Sequence, residues 1–95
     1  MDISTKVKGG DMPTISHFYG ITIVMYLRGK DHNPPHIHAV TQAYAVPFSI
    51  KTGEPLAGGA SPKMKALVKE FILRYQKELE EMWETGEYRR LPPID

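Results

Sequence analysis

Three of the four histidines in this 95-residue chain fall at positions 32, 36 and 38. Between His32 and His36 stand Pro34 and Pro35, whose rings fix φ and push the residues before them toward extended backbone. In a strand, alternate side chains share a face with Cα atoms roughly 6.5–7 Å apart, so His36 and His38 can converge on one ion or one phosphate. His32, ahead of the rigid turn, can fold back toward them. Two imidazoles titrating near pH 7 suit general acid–base work on a phosphodiester: one takes the proton of a ribose 2′-hydroxyl and the other protonates the leaving oxygen. Arg28 and Tyr26, on the preceding strand, are placed to stabilise charge on the transferring phosphoryl group. The same three histidines also suit a Zn, Ni or Cu ion with water in the fourth position. A third reading leaves His36 and His38 on a solvated sheet face while the prolines merely shape a loop.

A second cluster is electrostatic. Lys63, Lys65 and Lys69 occupy the first turns of a helical segment whose end carries Glu78, Glu80, Glu81 and Glu84. That order opposes the helix macrodipole, at about 0.3–1 kcal/mol per exposed charge. Three lysines beside Gly58-Gly59 suggest an anion pocket for phosphate, nucleic acid or an acidic partner. The plainer reading is a solvated face with helix-spaced ion pairs such as Arg74 with Glu78.

Composition narrows what these clusters can be part of. With no cysteine, disulfides, thiolate metal sites and cysteine nucleophiles are excluded, and His and carboxylate are left as metal ligands. Twelve Lys+Arg against eleven Asp+Glu give a net charge of +1, so nucleic acid or an anionic membrane must be held by a local patch. Ninety-five residues make one small core. No signal peptide or membrane-length apolar run is apparent, which makes the cytoplasm the simplest compartment and a membrane partner unexpected.

The elements that must position the histidines follow from periodicity. Residues 1–11 are polar and aperiodic and read as a disordered leader before a single domain at 12–95. Ile21, Ile23, Met25 and Leu27 alternate with polar or smaller residues as a strand, followed by a loop through Pro35. A second strand spans about His36 to Thr41, and a third runs through Tyr44, Val46, Phe48 and Ile50. Pro47 inside the third strand points to an edge or a bulge. A turn at Lys51 to Glu54 leads to a short fourth strand near residues 55–57. Ser61-Pro62 is an N-cap with proline at the first helical position. From there Met64, Leu67, Val68, Phe71, Ile72, Tyr75, Leu79, Met82 and Trp83 form one apolar stripe ending before Gly86. The expected fold class is α+β: a small antiparallel sheet of three to four strands with one long C-terminal helix, residues 61–85, packed on one face. Leu91 and Ile94 in the tail are expected to dock on the body. Trp83 is read as core. Val24 and Val40 fall on the face away from the helix and, with so small a core, predict a homodimer.

At Met12-Pro13-Thr14-Ile15-Ser16-His17-Phe18-Tyr19-Gly20-Ile21 and at Asp31-His32-Asn33-Pro34-Pro35-His36-Ile37-His38 the chain resembles the bacterial family called domain of unknown function 4160. The resemblance takes in the helix ending in Trp83 and essentially everything from Met12 onward. His17 stands where the family often carries Arg, and Pro47 replaces a more usual strand residue. The resemblance implies no established activity. It implies a context, since such genes often sit beside another small gene in pairs resembling toxin–antitoxin or regulatory modules, and hence a small cognate protein partner. Together with the paired histidines this favours RNA as the substrate of a metal-independent ribonuclease or an RNA-binding protein. The alternative is a non-catalytic module that binds a protein or a metal ion, and no cofactor is specified.

Overall fold

The computed structural model describes residues 13–25 and 34–94. Four strands, β1 (Thr14–Phe18), β2 (Ile21–Val24), β3 (His36–Val40) and β4 (Ala45–Ser49), form one antiparallel sheet in the order β1-β2-β3-β4. Each strand pairs with the next in the chain, the lowest-entropy way to close a sheet.

β1 is an element that periodicity did not announce. Its register shifts between Thr14 and Ser16, and both Ile15 and Ser16 are buried, so the inside–outside alternation is broken by the bulge. The hairpin to β2 closes through two residues, Tyr19 with φ 49° and Gly20 with φ 76°, the double positive-φ pattern that matches strand twist. Pro47 lies in β4, an edge strand, as its missing N–H requires. The expected fourth strand at 55–57 is reduced to one bridge between Pro55 and Phe48, with the Leu56 N–H donating to the Pro47 carbonyl at 2.8 Å. Gly53, with φ 77°, closes the intervening turn. A Cβ there would meet Lys69 Cγ at 2.9 Å, so both the dihedral and the packing require glycine.

The expected single helix is two. α1 (Pro62–Arg74) starts where Ser61 Oγ accepts from the Met64 N–H at 3.1 Å. It ends at Tyr75, whose φ of −112° and ψ of 28° leave the helical region, and α2 (Gln76–Thr85) runs on to the left-handed cap Gly86. The break coincides with a tertiary clasp: Gln76 Nε2 donates to the carbonyls of Ile50 at 2.8 Å and Lys51 at 2.9 Å. Neither glycine nor proline marks the break, which lies beside a side chain that reaches across to the end of β4.

The core lies between the sheet and the helices. Phe18, Ile21, Ile23, Ile37, Ala39, Val46 and Phe48 meet Met64, Val68, Phe71, Ile72, Leu79 and Met82, with the Phe18 and Phe71 rings 5.1 Å apart. Of the six helical residues expected inside, Val68, Phe71, Ile72 and Leu79 are buried, while Leu67 and Tyr75 are half-buried against the cluster. Leu91 and Ile94 are buried as expected, and the Leu91 N–H donates to the Ile15 carbonyl at 2.7 Å, covering β1 at its bulge. Pairing puts Val24 beside His38 and Val40 beside Thr22, away from the core cluster. Val24 is only 5% exposed, however, so less apolar surface is left there for self-association than alternation suggests. No helix among the described residues is long and apolar enough to cross a membrane. The leader expected at 1–11 lies outside the described residues, as does the expected continuation of β2 through Leu27.

Candidate functional site

The two strand histidines are on one face, as the alternation of β3 requires. In the sheet register His38 pairs with Val24 on one side and Pro47 on the other, while Ile37 and Ala39 point into the core. The imidazole centroids of His36 and His38 are 5.2 Å apart and meet edge to face at 69°. His36 Nδ1 lies 2.9 Å from the Pro34 carbonyl oxygen. A carbonyl only accepts, so Nδ1 carries the proton and Nε2 is the atom left to exchange one or to bind a ligand. The loop that supplies this carbonyl is itself anchored, because the Ile50 N–H donates to the Pro35 carbonyl at 3.0 Å. On its other side His36 packs against Trp83 of α2, with ring centroids 5.3 Å apart.

Pro34, His36, His38, Pro47 and Leu56 enclose a hollow of about 310 Å³, at the small end of the range for small-molecule sites. Both histidines are half-buried. Desolvation, and secondarily the neighbouring His36, hold the His38 imidazole below its ordinary pKa, which favours its neutral form. The arrangement therefore presents a neutral ring beside a second ring of fixed orientation.

Tyr26, Arg28 and His32 lie outside the described residues. Among the described residues no group of three His, Cys, Asp or Glu is arranged to hold a metal ion. His36 and His38 alone supply two of the three or four protein ligands that zinc sites employ. The fourth histidine does not join them: His17 Nδ1 is 2.8 Å from Thr22 Oγ1, in the β1–β2 pair.

The three lysines are not brought to one pocket. Lys69 Nζ pairs with Glu54 at 2.6 Å on the turn after β4. Lys63 borders a separate hollow with Tyr19 and Tyr44, and Lys65 is exposed. Trp83, Pro47 and Leu56 are site residues that sequence reasoning did not place. Trp83 stands at the flank of the apolar stripe, beside fully buried Met82, which was the available sign that one of its edges faces outward.

No curated protein and no solved structure matches the chain. One family model does, and its match takes in His36, His38 and Trp83 but leaves β1 and the C-terminal tail outside. The chain belongs to the family described as Domain of unknown function (DUF4160), matched over residues 20–84.

Proposed function

We propose that the chain is a small RNA-directed module whose His36–His38 hollow does acid–base work on a phosphodiester. The observation that carries this reading is the pair of imidazoles 5.2 Å apart on one strand face, one of them held toward its neutral form by burial. Neutral His38 takes the proton of a ribose 2′-hydroxyl, and the 2′-oxygen attacks the adjacent phosphorus. The bond to the 5′-oxygen breaks as that oxygen receives a proton from His36 Nε2, giving a 2′,3′-cyclic phosphate and a 5′-hydroxyl. Pro34 keeps the His36 ring oriented through this exchange, because its carbonyl holds Nδ1–H in both protonation states. Arg28 and Tyr26, which lie outside the described residues, are the candidates from the sequence for stabilising charge on the transferring phosphoryl group.

The test is incubation of the purified chain with a single-stranded oligoribonucleotide and with the same oligomer bearing 2′-deoxy sugars. Cyclic-phosphate products from the first alone, lost in both His36→Ala and His38→Ala, support the reading. Cleavage that survives both substitutions, or no cleavage at all, overturns it. A second reading is favoured by the exposed Leu56 beside Pro34 and Pro47: a non-catalytic surface for a small cognate protein. Under that reading Leu56→Asp weakens the partner complex while the two alanine variants leave it intact.

A further inference from the structure

At the end of the sheet away from His36, two tyrosines are exposed. Tyr19, 60% exposed, sits at the tip of the β1–β2 hairpin with φ 49°. That left-handed conformation suits Asn, Asp or Gly and costs a bulky side chain about 1 kcal/mol or more. Tyr44, 42% exposed, ends the connection from β3 to β4. Its backbone is pinned by Thr41, whose Oγ1 accepts from the Tyr44 N–H at 3.2 Å and whose N–H donates to the Tyr44 carbonyl at 2.8 Å. Both tyrosines line one hollow.

That hollow, about 190 Å³, is floored by buried Ile21 and Met64 and half-buried Leu67, with Lys63 also on its wall. Its size suits one planar ring rather than a drug-sized ligand. Lys69 and Arg74 are paired with Glu54 and Glu70, whereas Lys63 makes no ion pair with the described residues. There is also no acidic residue in the first turn of α1 to neutralise it. An apolar floor, two tyrosine rings and an uncommitted ammonium are complementary to a flat ring bearing an anion. We propose that the Tyr19–Tyr44 hollow is a nucleotide-binding site, stacking one base against the tyrosines and placing its phosphate at Lys63.

This site rests on ring and charge chemistry separate from the histidine pair, so it stands or falls independently of RNA cleavage. The test follows the aromatic ring resonances of Tyr19 and Tyr44 by NMR in the full chain. The probes are 5′-AMP, adenosine, inorganic phosphate and a six-nucleotide single-stranded oligoribonucleotide. Both rings should shift with 5′-AMP, less with adenosine, and not with phosphate. Tighter binding of the oligomer than of 5′-AMP identifies an RNA strand as the source of the nucleotide, and equal binding identifies the free nucleotide. Tyr19→Asn, which the turn conformation favours, should keep the fold and weaken 5′-AMP at least about fivefold, the lower end of what one stacked ring contributes. Lys63→Glu should weaken 5′-AMP while leaving adenosine unchanged. Absence of ring shifts at millimolar 5′-AMP overturns the assignment. So does undiminished binding in folded Tyr19→Asn, or shifts produced by a proline-rich peptide in place of the nucleotide.

Discussion

His36 at the start of β3 and Trp83 near the end of α2 stand with their rings 5.3 Å apart, so a helix that closes the core also touches the first of the two paired histidines. The orientation of the His36 ring and the stability of the fold are coupled at this contact. Trp83→Ala should cost about 2–4 kcal/mol, somewhat below the figure for a fully buried aromatic because the indole is only partly buried. The same variant should move the His36 ring resonances, as two-dimensional NMR of a still-folded sample will show. Unchanged His36 resonances would mean that Pro34 alone orients the ring.

His38 makes stability pH-dependent with a definite sign. Its folded pKa lies below the ordinary value of about 6.5, so between the two values the unfolded chain binds more protons. The contribution is fully present above about pH 6.5 and is lost as pH falls toward the folded pKa. Thermal melting at pH 7.5 and 5.5 should show a drop that His38→Gln reduces, and the His38 NMR titration midpoint should fall below 6.5. Equal drops in the two proteins would remove His38 as the cause.

Gln76 is the clasp at the helix break. Gln76→Ala removes two hydrogen bonds to the carbonyls of Ile50 and Lys51 and should destabilise by about 1–3 kcal/mol in denaturant unfolding. Amide exchange at residues 75–78 should speed up selectively. A uniform increase across α1 and α2 would instead indicate that the two helices melt as one unit.

Ser16 carries a buried hydroxyl on the core side of β1 with no hydrogen-bond partner among the described residues. Ser16→Ala removes that unsatisfied group and should raise stability by about 1 kcal/mol. A loss of stability would show that the hydroxyl is bonded.

Tyr19→Asn should raise the unfolding midpoint, since the left-handed φ of 49° suits Asn and the tyrosine ring buries little there. Equilibrium unfolding alongside the nucleotide titration then separates stability from binding in one variant.

Much of this architecture is written in short-range sequence. Alternation alone puts His36 and His38 on one face and Ile37 and Ala39 on the other. Ser61-Pro62 and Gly86 mark the outer limits of the helical segment, and the stripe from Met64 to Met82 names its buried side. These rules work because they depend on sterics and hydrogen bonds within about four residues of the chain. Tertiary structure decided the rest. β1 was hidden because a bulge breaks the period-two signal at Ile15 and Ser16. The helix breaks at Tyr75, beside Gln76, whose side chain reaches the end of β4, a partner far away in sequence. Lys69 pairs with Glu54, fifteen residues back in the chain, where α1 packs closely on Gly53. Trp83, on the flank of the apolar stripe of α2, meets His36 at the start of β3, a contact between elements far apart in sequence. A stripe specifies which side of a helix is buried, but the angle at which that helix crosses the sheet is set by side chains from both surfaces fitting together, and no local pattern encodes that fit.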